Sequence, residues 1–434
     1  AALILSFYTM SSSSPPGTAE ALSQSIVVIG LNAALQKRFI LPPTTNLEPG
    51  SVHRAHACET GVGGKGQDVG VALSCLLAEE EQTGNDKVLL AQFLGRGPEG
   101  DAVSNSLRSL GLSDKLTMRN AAPLRTCTTI VGADEATELV ETSGEVTGGE
   151  MDAMRDRVRE LAAGGGEASC VCIMGSMPPG CHEDTYAELT SSLAGKDSLV
   201  LIDSVIGLAP LLGTLKTIFD NESEKEGGAV LKLNAAELCK LAGVTKIAGE
   251  ATQVTMEELT SSTRGFVSRY ENAIGALDYL CITDGRYPGH LVEIPKSADA
   301  DDGAIRTWRL PAVDLSEEGT LYPIGAGDTV AAGTLAAWQY LHHHRKAPSG
   351  GGGNDNNKFF GVVPSKIGER LSERKAMWSS ADEDDEDTTG DDMATAFAFG
   401  LACGSASCLR QENSVFRVED AVKFFDGMGK PVMQ

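Results

Sequence analysis

Ser25 to Leu31 reads SIVVIGL, an apolar, β-branched run of strand length with polar residues on either side, and it is predicted to be a buried strand. Runs of the same kind recur at Val88 to Gly95, Ser169 to Gly175, Leu199 to Asp203, Ala229 to Asn234 and Leu280 to Thr283, most of them separated by helix-like segments. Strands buried on both faces read as continuous apolar runs, and alternation with helices implies a parallel sheet covered by helices, an α/β fold. Two stretches break the rhythm: Lys37 to Leu41 with Ser51 to Thr60, and Arg125 to Gly132 with Thr137 to Glu141, where strand signals occur without helices between them. They predict a small antiparallel sheet, with strands near 36–60 and 124–142. Placed over the carboxyl ends of the parallel strands, where open α/β sheets bind ligands, it would be a lid.

The 434 residues suffice for a sizeable core. Residues 1–24, with SSSSPPG at Ser11 to Gly17, read as a disordered leader, and the folded domain is expected over 25–434. That leader lacks the basic n-region of a signal peptide and the arginines of a transit peptide. The formal net charge of −24 argues against nucleic acid or an anionic membrane surface as partner, so any phosphate binding must be local. No run approaches the length of a membrane span. The ten cysteines are dispersed without CxxC spacing and read as reduced thiols, which points to a cytoplasmic location. Between residues 345 and 392 the composition shifts to APSGGGGNDNN and then ADEDDEDTTGDD; such glycines and clustered carboxylates bury too little apolar area to offset chain entropy, so an acidic, disordered insertion is expected there.

The strongest chemical signal is PIGAGDTVAA, Pro323 to Ala332, leading into an apolar helical pattern. Gly325, Ala326 and Gly327 would turn the chain into a helix whose free N–H groups form an anion site. Asp328, in the first turn, is either a helix cap or a base that takes a hydroxyl proton beside that anion site. A second glycine cluster, GVGGKG at Gly61 to Gly66, opens another apolar helix, and GSMPPG at Gly175 to Gly180 and NAAE at Asn234 to Glu237 each end a strand. Polar groups at strand ends converge on one crevice.

Together these motifs resemble the ribokinase-like, or PfkB, family of sugar kinases: GGKGQDVGVAL and PIGAGDTVAAG are similar to its two signatures, and LNAAL, TEL, GSMPPG and AFGLACGSASC look most like the branch of 1-phosphofructokinase and tagatose-6-phosphate kinase. The resemblance implies ATP-dependent phosphorylation of a sugar phosphate in a Rossmann-like sheet with helices on both faces and a β lid. It implies Asp328 as base and Gly325, Ala326 and Gly327 as anion hole. Asn234 and Glu237 match an NxxE element that organises Mg²⁺ indirectly, and Thr283, Asp284 and Gly285 fall where the nucleotide is met. Substrate contacts fall to Gln36, Gly64, Lys65, Asp68, Arg96, Arg125 and Ser176. The chain departs from the branch at Gln36, where a carboxylate is usual, and at Asp68, where an amide is usual; if both side chains reach one ligand, acid and amide have exchanged places. A homodimer through the lid is a further expectation. Two other readings stay open: a kinase of an unphosphorylated sugar or nucleoside, and a kinase-like regulatory subunit without turnover.

Overall fold

Apolar runs removed from water must pair their backbone groups, and in the computed structural model, which describes residues 22, 25–78, 87–133, 136–220, 226–244, 253–294, 305–346, 362–379 and 389–434, they pair side by side. The strands are β1 (Ile26–Asn32), β2 (Ala34–Ile40), β3 (Ala57–Gly63), β4 (Val88–Gly95), β5 (Thr117–Asn120), β6 (Thr126–Val131), β7 (Ala136–Val140), β8 (Cys170–Met174), β9 (Leu199–Asp203), β10 (Gly228–Asn234), β11 (Tyr279–Asp284), β12 (Tyr287–Glu293), β13 (Thr307–Leu310) and β14 (Val432–Met433). The helices are α1 (Lys65–Leu77), α2 (Pro98–Ser109), α3 (Gly148–Gly165), α4 (Thr185–Leu193), α5 (Leu208–Asp220), α6 (Ala235–Leu241), α7 (Met256–Arg269), α8 (Ala326–Lys346), α9 (Ser365–Ser379), α10 (Thr389–Ser407) and α11 (Val418–Gly427).

Ten strands form the large sheet in the order β14-β13-β12-β11-β10-β9-β8-β1-β4-β5. Its pairs from β5 to β11 are parallel, and β12, β13 and β14 continue it antiparallel. Successive side chains on each strand point to opposite faces, so one set packs against α1, α8, α10 and α11 and the other against α3, α4, α5 and α7. Against β1, α1 lies unusually close: a methyl group at Gly66 would stand 2.4 Å from the Gly30 Cα, so the contact needs glycine on both sides.

The second sheet has the order β3-β2-β6-β7. It is not wholly antiparallel as expected, because β2 and β6 run parallel. The reason is topological. Between them the chain passes through β3, α1, β4, α2 and β5, and strands joined by so long a crossover can run in the same direction.

Two boundaries differ from the sequence reading. Leu22 is buried in the core and its carbonyl accepts from the amides of Ser25 and Ser169, so packing begins inside the expected leader; the rest of 1–24 lies outside the described residues. The stretch 345–392 is not one disordered insertion, for it contains α9, which buries Ile367, Leu371 and Trp378. The Trp378 ring meets Phe425 edge-on at 5.7 Å, and Phe425 meets Phe399 of α10 at 5.5 Å. Asp392, buried at the start of α10, pairs with Arg345 of α8 at 3.4 Å and with Lys375 of α9. The glycine-rich run and most of the acidic run, at 347–361 and 380–388, lie outside the described residues, and the last residues of the acidic run enter α10. All ten cysteines are free. Among the described residues no helix is long and apolar enough to cross a membrane.

Candidate active site

The carboxyl ends of β1, β8, β9 and β10 open onto a cavity of about 330 Å³ lined by Asn32, Lys65, Arg125, Ser176, Asp203, Ser204 and Glu237, among others. Asp203, the last residue of β9, is its electrostatic centre. Lys65 Nζ, from the first residue of α1, donates to Asp203 Oδ1 at 2.7 Å, and Lys232 Nζ, from the middle of β10, donates to Oδ2 at 2.6 Å. Burial works against the charge of Asp203, but Lys232 and Lys65 outweigh it and hold the carboxyl below its ordinary range. Burial likewise opposes the Lys65 charge, yet Asp203, Asp328 and Glu237 more than reverse this and raise it.

Asp328 sits in the first turn of α8, where Gly325 makes the bend at φ +82°. A side chain at Gly325 would meet Ser414 Oγ at 2.6 Å, so both conformation and space demand glycine. The Gly325 carbonyl accepts from Thr329 N at 2.9 Å, from Thr329 Oγ1 at 3.0 Å and from Ser414 Oγ at 3.0 Å, fixing the turn. The Ala326 amide donates to Pro323 O at 3.1 Å, so that N–H belongs to the turn rather than to an open anion site. A methyl at Gly327 would stand 3.7 Å from Lys232 Nζ, which places this buried lysine beneath the turn. Burial, then the charge of Asp203, push Asp328 up to about 7 against the pull of Lys65 and Lys232.

Asn234 and Glu237 form a reciprocal cap on α6: Glu237 N donates to Asn234 Oδ1 at 2.8 Å and Asn234 N donates to Glu237 Oε2 at 2.9 Å. The other carboxylate oxygen, Oε1, lies 3.8 Å from Lys65 Nζ. Arg125 donates to the carbonyls of Asn32 at 2.9 Å and Ala33 at 3.3 Å, tying the start of β6 to the β1–β2 junction. Ser176 Oγ accepts from Asn32 Nδ2 at 2.9 Å, and Ser143 Oγ donates to Asn32 Oδ1 at 2.7 Å.

Lys65, Arg125, Ser176 and Glu237 thus share the cavity, with Asp328 acting on it through charge. Other expected residues stand apart. Gln36 is buried in the small sheet and donates to Thr129 Oγ1 at 2.7 Å. Gly64, at φ +105°, forms the turn into α1. Asp68 is buried in that helix, and among the described residues its Oδ1 is unpaired; burial, then Asp328 and Glu138, push it well above the carboxylate range against Arg38. Neither Gln36 nor Asp68 lines the cavity. Arg96 is exposed on the turn after β4. Thr283 Oγ1 donates to Leu233 O at 3.5 Å, Asp284 Oδ2 accepts from Val254 N at 2.7 Å, and Gly285 turns the chain into β12 at φ +59°. Sequence reasoning missed Asp203 and Lys232, although a lysine inside the apolar run AVLKLN was a signal.

The chain is 27% identical to a 1-phosphofructokinase of Xanthomonas campestris pv. campestris over 196 residues, 45% of this chain and 56% of that relative, so the alignment spans little more than half of the relative's length. Phosphofructokinase-2 from Escherichia coli, solved in complex with potassium, superposes at a TM-score of 0.58 with 17% identity, covering 93% of this chain and 98% of that one. Ribokinase from Giardia lamblia gives a TM-score of 0.59 with 13% identity over 92% and 99% of the two chains. These similarities establish a shared fold. The family model for the pfkB family carbohydrate kinases matches residues 23–267, more than half of the sequence, and the chain belongs to that family.

Proposed function

We propose that this protein is an ATP-dependent kinase that phosphorylates a hydroxyl of a sugar phosphate of the hexose-phosphate class. The observation that carries the reading is Asp328: a carboxylate raised to about 7, in the first turn of α8, in the charge field of the Lys65–Asp203–Lys232 chain beside the cavity. In this reading the acceptor hydroxyl oxygen attacks the γ-phosphorus of ATP, Asp328 takes the hydroxyl proton, and the bond to the β-phosphate oxygen breaks to release ADP. The N–H groups of Gly327 and Asp328 at the open end of α8, with Lys232 beneath, stabilise the charge of the phosphoryl group in flight. Lys65 lies between Asp203, Glu237 and Asp328, which suits the transferring phosphoryl better than the far end of the sugar. Arg125 and Ser176 then face the phosphate already on the substrate.

Among the described residues no group of three or more His, Cys, Asp or Glu side chains is placed to hold a metal alone. That fits Mg²⁺, which keeps several waters and binds through one or two carboxylates plus substrate phosphates; Glu237, with Oε1 outside its cap, and Asn234 would hold it through water. The ion would supply charge neutralisation on the phosphates.

One observation favours a second reading, a kinase of an unphosphorylated sugar or nucleoside. Arg125, the cation left to face a substrate phosphate, already has partners in the carbonyls of Asn32 and Ala33. A coupled ADP-release assay with Mg-ATP against fructose 1-phosphate, fructose 6-phosphate, tagatose 6-phosphate, ribose, fructose and adenosine separates them. Turnover on a phosphorylated sugar is expected. Turnover confined to the last three replaces the proposal with the second reading, and none at all leaves a kinase-like binding protein.

Self-association through the small sheet is also proposed. Its edge strand β7 exposes Leu139 and Val140, 56% and 54% accessible, and among the described residues no further strand pairs with its outer edge. Sedimentation velocity is expected to show a dimer, and a monomer at all concentrations tested refutes the idea.

A further inference from the structure

The antiparallel edge of the large sheet carries a pair of residues that this chemistry does not use. His290 of β12 and Arg309 of β13 are direct cross-strand partners, so their side chains rise from the same face. It is the face away from Asp328. The adjacent Gly289 lies against Leu401 and Phe397 of α10, and strand alternation therefore turns His290 to the α7 side. There His290 and Arg309, with Val254, Thr255 and Gln434, line a cavity of about 290 Å³. That volume is close to the lower end of small-molecule sites, roughly 300–1,000 Å³.

His290 is 2% exposed, and among the described residues neither ring nitrogen has a hydrogen-bond partner. Buried polar atoms are ordinarily satisfied, and leaving two bare is unfavourable until something occupies the space beside them. Burial, then Arg309, hold the imidazole below its ordinary value against the pull of Asp284, so the neutral ring offers one N–H and one acceptor nitrogen. Arg309 is half-buried and forms no ion pair among the described residues. Carboxylates on neighbouring elements are engaged elsewhere: Asp284 accepts from Val254 N, and Glu258 accepts from Thr255 N at 2.9 Å and from Thr255 Oγ1 at 3.0 Å. The start of α7 is closed by that cap and adds nothing to the argument. What remains is a planar guanidinium fork and a buried imidazole in the wall of one cavity, a combination suited to an oxyanion.

We propose that this cavity binds a small phosphate-bearing anion, with Arg309 as its charge partner and His290 as a hydrogen-bonding wall, on the sheet face opposite Asp328.

The test titrates the full chain, carrying ¹³C,¹⁵N-labelled histidine, with inorganic phosphate and follows the ring resonances; His290→Gln identifies the His290 signal by its loss. The His290 resonance is expected to move and saturate by about 10 mM phosphate, an affinity reasonable for one charge pair and one neutral bond. Arg309→Gln is expected to raise the apparent Kd at least about tenfold, the loss of one charge-assisted contact. Phosphate held near Lys65 does not touch His290, and a shift that arose from binding there would survive Arg309→Gln unchanged. A His290 signal that stays still throughout overturns the proposal, as does an Arg309→Gln protein that binds as tightly as the wild type. If that variant fails to fold, the wild-type titration decides alone.

Discussion

A carboxylate acts as a base only while ionised, and Asp328 stands where ionisation is opposed, with its proton held up to about pH 7 by burial and by Asp203. Asp328→Asn keeps the shape and removes the acceptor, so kcat is expected to fall at least about a hundredfold, with ATP affinity little changed. In the wild type, kcat/KM should fall about tenfold per pH unit below the Asp328 value, because only the ionised form accepts the proton. Stability runs the opposite way. The folded protein holds this proton more tightly than the unfolded chain, whose ordinary value is 3.8, so the group's contribution is full below that value and is lost as pH rises toward about 7. The Asn variant has no charge to bury, so it should melt several degrees above wild type at pH 8, with the gap closing toward about pH 4. Equal melting at pH 8 would show that the ionised carboxylate is not strained. The residues of this site that were legible in sequence, Asp328, Lys65, Arg125, Ser176 and Glu237, sit at strand ends or in glycine turns, where polar side chains stand out. Asp203 and Lys232 belong to apolar runs, and nothing in the order of residues tells that Lys65 meets an aspartate 138 positions away. Gln36 and Asp68 were legible as departures but not as neighbours, since the sequence does not reveal that Thr129 takes the Gln36 amide.

At the scale of elements, α9 shows how composition can mask structure. Glycine-rich and acidic flanks dominate the stretch, yet Ile367, Leu371 and Trp378 recur at helical spacing and face one side. Trp378 closes that side: it packs against Phe425, and the Arg374 guanidinium lies 4.8 Å over its ring while donating to the carbonyl of Phe425 at 3.0 Å. Trp378→Ala should therefore cost about 3–5 kcal/mol, the range for emptying a large aromatic from a core. Urea unfolding measures it, and a loss below about 1 kcal/mol would mean that α9 is an ornament on the surface. The strands were readable because an apolar run of six or seven residues has few other uses. The direction of β6 against β2 was not, because contact between residues such as Gln36 and Thr129, 93 positions apart, depends on the crossover that separates the strands.

At the scale of the molecule, the two sheets meet at the candidate site. Arg38 of β2 reaches Asn413 before α11 at 3.3 Å, and Arg125 at the start of β6 reaches the last residue of β1. A ligand between the sheets engages both and stabilises the fold as a whole, by about 2.7 kcal/mol at a hundred times its Kd. The Tm should accordingly rise with Mg-ATP and rise further with the phosphorylated sugar that the ADP-release assay selects. Arg125 makes the second effect specific. Its carbonyl partners, Asn32 and Ala33, are neutral, and a phosphate dianion offers a planar guanidinium a stronger, two-point contact. Arg125→Ala should weaken sugar-phosphate binding by about 1.5–3 kcal/mol, and the Tm gain from that ligand should shrink accordingly while the gain from Mg-ATP stays. The unphosphorylated sugar of the same pair should stabilise wild type and variant alike, because it offers Arg125 nothing to exchange for those carbonyls. If both sugars stabilise the wild type equally, or if the variant loses the Mg-ATP effect as well, Arg125 is a structural tie between β1 and β6, and the substrate does not carry the phosphate proposed for it.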